Sequence, residues 1–306
     1  MEEDEDIAQS TTLKSALNKL KHKKHLAKRQ HLLDLRAKGI GSVQAEVRHG
    51  DARDLIKKLD DESVDHIVTN APFGIDLTMR GEKPYEDDPE EITDLMIELC
   101  SEFHRVLKPT GWAVIFFDMK KITCSPHLTQ WAFSNLKVKD KQLYRALGLT
   151  QWLLDAGFEY VTPTPGAWVK PNKTHGQIGD PSKGFISSWE AYIFAAKTSE
   201  ARLLKQGRSN HLVYDVPTSS ERIHEVQMPT DLCGDLLSMV ALGGETVLDP
   251  FAGSGSFGVA AISRQVNFLG FELDKTKCDL ANVRLQEAIQ GPEDSRSDGD
   301  SGSEVE

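Results

Sequence analysis

The chain has 306 residues, 39% of them hydrophobic, with a mean hydropathy of −0.40 and a formal net charge of −11 at pH 7. That length holds one large α/β domain or two small ones. No apolar run reaches the roughly 18 residues of a membrane span, and the opening MEEDEDIAQS lacks the basic and apolar stretches of a secretory signal. Cys100, Cys124, Cys233 and Cys278 form no close pair that could clamp zinc, so they read as reduced thiols of a cytoplasmic protein with no metal site.

Residues 1–12 are acidic and are expected to be disordered. From 13 to 39 leucines recur at roughly helical spacing, and nine Lys/Arg between Lys14 and Lys38 face a single acid, Asp34. This basic helix is either a solvated helix with one packed stripe or a phosphate-binding face on an otherwise acidic chain. A strand in VQAEVRHGD turns at Gly50-Asp51 into a helix over 52–59, and a second strand over 64–69 ends at Asn70. Residues 76–90 are polar and proline-punctuated and read as a mobile loop. A helix over 91–107, a Pro-Thr-Gly turn and the buried-looking strand WAVIFF follow, then an irregular stretch at 119–140. A helix through 152–156 leads to strands at 166–170 and 191–196, a polar connector at 198–223 and a helix over 231–241. Then come TVLDPFAGSGSFGVAAI, the strand NFLGFELD, a helix over 275–289 and a polar tail, 291–306, with almost nothing to bury. Strands alternating with helices predict a doubly wound, mostly parallel α/β sheet over residues 40–290. Aromatic residues most often fill cores, so Trp112, Trp152, Trp168 and Trp189 are expected to be framework. Lys170 and Asn172 belong to a loop that is either solvated or touches phosphates.

Two stretches carry chemistry. DPFAGSGSFG sets Gly253, Gly255 and Gly258 in GxGxxG spacing between a strand and a helix. Glycine lets the backbone turn tightly and approach a ligand, and the helix that follows offers free N–H groups. Glu272 ends the next strand, where a carboxylate grips a ribose diol. A dinucleotide and the nucleoside-bearing S-adenosylmethionine both fit. The second stretch, Asn70-Ala71-Pro72-Phe73, ends another strand. Ligands of such sheets sit outside the carboxyl ends of the strands. There an Asn side-chain oxygen and the next backbone carbonyl can accept both N–H bonds of an exocyclic amine. Phe73 offers a face on which a base can stack, a contact of about 1–3 kcal/mol.

With these residues in view, the chain resembles the amino-methylating DNA methyltransferases, which use S-adenosylmethionine. That family carries a D/N/S-P-P-Y/F catalytic motif and a D-P-F-x-G-x-G cofactor motif. Here NAPF (Asn70, Ala71, Pro72, Phe73) and DPFAGSG (Asp249, Pro250, Phe251, Gly253, Gly255) match them. HEVQMP keeps His224 and Gln227 where the family often shows H-P-T-Q-K-P, and GFELD places Glu272 in the acidic ribose-binding role. By the same resemblance Asp51 hydrogen-bonds the cofactor adenine. The catalytic motif precedes the cofactor motif, an order similar to that of the beta subgroup. The resemblance therefore implies a Rossmann-like class I methyltransferase fold, S-adenosylmethionine as cofactor and DNA as partner, with the question of a homodimer open. Asn in the first motif position points to adenine N6. Cytosine N4, RNA or protein methylation, and a weakened nucleic-acid-binding homologue are the alternatives. Cytosine C5 chemistry needs a nucleophilic Cys, typically after Pro, and none of the four follows one.

Two departures stand out. Ala71 occupies a position where the family has proline, which keeps the carbonyl but gives up a fixed φ. On sequence alone this looks like lost stiffness that Ala71→Pro would restore. The region available for target recognition, 198–223, is too short for a separate specificity domain.

Overall fold

The computed structural model describes residues 43–73, 89–117, 145, 147–172, 188–218 and 227–290. The basic helix at 13–39, both termini, the stretch at 119–140 and His224 lie outside the described residues.

The first strand, β1 (Ala45–His49), turns at Gly50 into α1 (Ala52–Ile56). Asp51 starts that helix by accepting the Arg53 N–H at 2.8 Å, the usual way a carboxylate satisfies an orphan donor. The next strand, β2 (Val64–Asn70), is buried along its length except at Asn70. The following helix, α2 (Pro89–Val106), begins earlier than the sequence suggested, inside the stretch read as loop. Proline tolerates the first turn because its missing N–H is not needed there. Ile92, Met96, Leu99, Cys100, Phe103 and Val106 form its buried stripe.

The expected Pro-Thr-Gly turn belongs instead to β3 (Leu107–Phe117). Val64 pairs with Leu107 and His66 with Trp112, so residues 108–111 bulge against the single residue 65. A Cβ on Gly111 would lie 2.7 Å from the Asp65 carbonyl oxygen, which explains the glycine. Beyond it come α3 (Leu149–Asp155), β4 (Tyr160–Val161), β5 (Gly166–Val169), β6 (Trp189–Ala196), β7 (His211–Val213), α4 (Thr230–Val240), β8 (Thr246–Asp249), α5 (Ser256–Ile262), β9 (Asn267–Glu272) and α6 (Lys275–Gln290). Two short strands, β4 and β7, have no sequence signature. Two or three residues are too few to show a period, and they form because β6 and β5 offer them an edge.

The sheet runs β1-β9-β8-β2-β3-β6-β5-β7, with β4 also on β6. From β1 to β3 every pairing is parallel, and β6 enters antiparallel. One core, with α4, α5 and α6, covers one face through Leu232, Leu236, Phe257, Ala281 and Leu285. A second, with α1, α2 and α3, covers the other through Ile56, Met96, Phe103 and Trp152. The doubly wound reading holds. From β8 the chain crosses to β9 on one side, and from β2 it crosses to β3 on the other, so the crossovers diverge between β8 and β2. That is the crevice in which such sheets bind ligands. Trp112, Trp152 and Trp168 are buried as expected, but Trp189 is 41% exposed. Among the described residues no helix is long and apolar enough to cross a membrane.

Candidate active site

The glycine loop leaves β8 at Asp249, and its main chain is tied to β9. Ala252 N–H donates to the Phe271 carbonyl at 2.8 Å, and Gly253 N–H to Glu272 Oε2 at 2.9 Å. Gly255 N–H closes a turn on the Ala252 carbonyl at 2.8 Å. Gly253 and Gly255 have φ of +51° and +74°, the left-handed region that disfavours side chains. They differ in what they face. A Cβ on Gly253 would have no atom within 4 Å, so this residue borders open space, whereas one on Gly255 would meet Ala281 at 3.4 Å. The third glycine is needed for packing: a Cβ on Gly258 would come within 2.6 Å of Leu285 and 2.8 Å of Phe268. Pro250 is buried, and Phe251 packs its half-buried ring on the second core.

The end of β1 joins the same corner. His49 pairs with Glu272, and Gly50 N–H donates to the Glu272 carbonyl at 2.9 Å. Asp51 follows at once, its carboxylate engaged by Arg53 Nη2 at 2.7 Å. Hydrogen bonds from Arg53 hold the Asp51 pKa below the ordinary carboxylate range. Glu272 Oε1 accepts the Asp274 N–H at 2.9 Å. Each of its oxygens therefore has one main-chain donor, and a carboxylate can accept about four bonds. Gln227 is buried just before Pro229, the cap residue of α4.

Across the crevice, β2 ends beside β8: Ile67 pairs with Leu248, and Thr69 Oγ1 donates to Asp249 Oδ1 at 2.6 Å. Burial pushes the Asp249 pKa up to about 7 against the bonds from Thr69 and the Phe251 N–H, which lower it. Asn70 comes next, and its Oδ1 is buried with no hydrogen-bond partner among the described residues. Ala71 is 3% exposed and donates its N–H to the Phe116 carbonyl at 3.1 Å. That bond gives alanine a reason the sequence hid: proline has no N–H to donate, so it would break this link to β3. Pro72 and Phe73 are half-buried, with Phe73 against the second core.

The structure thus brings Asn70, Ala71, Pro72 and Phe73 to one side of the crevice. Asp249, Pro250, Phe251, Gly253, Gly255, Glu272 and Asp51 line the other. Two residues of this corner were missed. Thr69 reads as one more β-branched residue in an apolar strand, yet it links the two sides. Arg284, on α6, donates to the Ser254 carbonyl at 3.0 Å and to Thr230 Oγ1 at 3.3 Å, bracing the loop against the start of α4. A lone arginine on a helix gives no sequence signal of this. Lys170 does not reach for phosphates. Its side chain is 4% exposed and pairs with Glu190, while Asn172 exchanges two hydrogen bonds with the Val216 backbone.

A family model described as DNA methylase, N6_N4_Mtase, matches residues 64–283. The chain is 26% identical over 272 residues to the DNA adenine methyltransferase YhdJ of Escherichia coli K12, covering 81% of this chain and 85% of that protein. It is 23% identical to the type II methyltransferase M.BglII of Bacillus subtilis, covering 77% and 67%. Among solved structures, a PvuII DNA methyltransferase titled cytosine-N4-specific aligns with a TM-score of 0.60 at 16% identity, covering 84% of this chain and 89% of that one. A complex of M1.HpyAVI with S-adenosylmethionine aligns with a TM-score of 0.53 at 20% identity, covering 80% and 100%.

Proposed function

The chain belongs to the DNA methylase family of N6 and N4 amino-methyltransferases, and we propose that its target is adenine N6, held by the segment Asn70 to Phe73. S-adenosylmethionine is the methyl donor of this family, and when bound it supplies a methyl group on a cationic sulfonium. The residues present fit it. Gly253 faces open space at the start of α5, and Glu272 and Asp51 stand together at the ends of β9 and β1. In this reading Asp51 and Glu272 take its adenine and ribose, with spare acceptor capacity on Glu272. The loop from Asp249 through Pro250 and Phe251 to Gly255 takes its amino-acid end. Gln227, buried ahead of α4, belongs to the same corner.

One observation carries the target half. A buried carbonyl oxygen without a donor costs about 1–3 kcal/mol, and Asn70 Oδ1 is such an oxygen, one residue from the link to the glycine loop. An exocyclic amine removes that cost. Asn70 Oδ1 and the Ala71 carbonyl accept its two N–H bonds and orient the nitrogen lone pair away from both. Phe73 supports the ring. The base must leave the duplex stack to reach this place. Alignment then supplies most of the acceleration. Adenine is favoured by the Asn in the first motif position and by the similarity to YhdJ.

The test offers the purified chain, with isotopically labelled S-adenosylmethionine, to DNA, RNA and bulk protein. Label on DNA adenine is the expected result. Label on cytosine N4 moves the target base, and label on RNA or protein alone overturns the DNA reading. Intact cofactor binding without transfer would identify a weakened homologue.

A further inference from the structure

Among the described residues, two buried side-chain acceptors lack a hydrogen-bond partner: Asn70 Oδ1 and Glu190 Oε2. They share one edge and one face of the sheet. Asn70 pairs with Phe116, and Phe116 with Tyr192. Glu190 lies two residues from Tyr192, toward the carboxyl edge, because β6 runs antiparallel to β3 and begins there. Side chains alternate along a strand, so Asn70, Phe116, Tyr192 and Glu190 project from the same face. Two strand spacings and two residues of rise put the Cα atoms of Asn70 and Glu190 about 12 Å apart.

Glu190 is fixed by its neighbours. Its Oε1 is paired with the buried Lys170 ammonium. Lys170 Nζ also lies 4.2 Å from the centroid of the Trp168 ring, and Trp168 Nε1–H is anchored on the Tyr214 carbonyl at 2.8 Å. Lysine neutralises the carboxylate, so this edge can meet a polyanion without net repulsion. It leaves Oε2 as an oriented acceptor. The donors DNA can offer to such an atom are few. Phosphates only accept, and deoxyribose lacks the 2′-hydroxyl. What remains is base N–H. For a paired base met through its major-groove edge, the approach taken here, the exocyclic amine of cytosine or adenine still presents one free N–H, whereas the guanine amine lies in the minor groove.

We propose that Glu190 is a specificity-determining residue whose Oε2 accepts that N–H from the base beside the target. It selects cytosine or adenine there, and it rejects guanine and thymine, which present carbonyl oxygens instead. The inference rests on the reading of Asn70 given above, since both N–H bonds of the target amine are already assigned to Asn70 and Ala71.

The experiment uses the full chain and Glu190→Gln, which keeps an acceptor for Lys170 but can turn its NH₂ toward the base. Each protein methylates unmethylated genomic DNA, and the modified positions are mapped. We expect one flanking position restricted to cytosine or adenine by about tenfold or more in the parent. In Glu190→Gln that restriction is lost with cofactor affinity unchanged, while the melting temperature falls because buried Lys170 loses its counter-charge. Identical flanking preferences in the two proteins would overturn the proposal, and so would a variant slowed equally on all sequences. If the parent transfers no methyl group, duplexes selected by binding from a randomised pool give the same comparison. The amine reading then fails separately, while a parent pool without amino-base enrichment overturns the role of Glu190.

Discussion

The two sides of the crevice are finished to different degrees. At the glycine loop, the N–H groups of Ala252, Gly253 and Gly255 all find acceptors within the loop or on β9, and Glu272 is held by two main-chain donors. At the end of β2 the backbone is just as firmly tied, through the Ala71 N–H and the Thr69 hydroxyl, but Asn70 Oδ1 has no donor among the described residues. S-adenosylmethionine is consumed at every turnover and leaves as its demethylated product, so its corner must hold its shape through each exchange, as these internal bonds let it. A substrate that must be pulled from a helix each time suits a corner that gains its last bond on arrival.

Removing the unmet acceptor should separate the two sides most sharply. Asn70→Ala leaves the amine half-held, and we expect methyl transfer to fall about 10²–10³-fold, the scale of losing one oriented hydrogen bond at a reacting group. Calorimetric affinity for S-adenosylmethionine should stay at the parent value. A parallel loss of affinity would show that the corners are not separable.

The buried link between them should have a pH signature. The Asp249 pKa is about 7 in the fold against 3.8 for an ordinary aspartate. The folded chain therefore holds this proton more tightly, and the Asp249 contribution is most favourable below about pH 4 and is lost as pH rises toward 7. The size should be a few kcal/mol. Urea titrations across this window should show the decline in the parent and its absence in Asp249→Asn. Equal slopes would place the raised pKa elsewhere.

Two glycines test whether the cofactor corner binds as well as packs. Gly253→Val puts a side chain into open space, with about 1–2 kcal/mol of backbone strain, and should weaken the cofactor more than about tenfold with the fold retained. Gly258→Ala forces a methyl group against Leu285 and Phe268 and should lower stability by about 1–3 kcal/mol. Melting curves should fall in both variants, whereas calorimetry should show the loss of cofactor affinity in Gly253→Val alone.

The smallest effect concerns Ala71. Proline at a compatible site gains about 0.4–1 kcal/mol, which on sequence alone favours Ala71→Pro. The Ala71 N–H is bonded to Phe116, however. Its loss costs about 0.5–1.5 kcal/mol and loosens the segment that carries Asn70. Ala71→Pro should transfer methyl groups a few-fold more slowly than the parent, and a faster variant would show that stiffness outweighs the ladder bond.

Much of this was legible in the sequence because it depends on short-range pattern. Strand-glycine-helix spelling located the loop around Gly253, and an apolar run ending in Asn70 located the other side. What stayed hidden depends on partners far along the chain. Thr69 is defined by Asp249, Arg284 by Ser254 and Thr230, and Ala71 by a carbonyl on β3. Lys170 looked like a solvent cation because nothing local announces Glu190. The bulge at residues 108–111 looked like a turn because proline and glycine mark both.

The most direct test of the account is the chemical identity of the methylated nucleoside. Unmethylated DNA is treated with the purified chain and S-adenosylmethionine, digested and analysed by mass spectrometry, beside the same reaction with Asn70→Ala. The account predicts N6-methyldeoxyadenosine from the parent and a trace at most from the variant. A methyl group on cytosine C5, or equal yields from the two proteins, would contradict it.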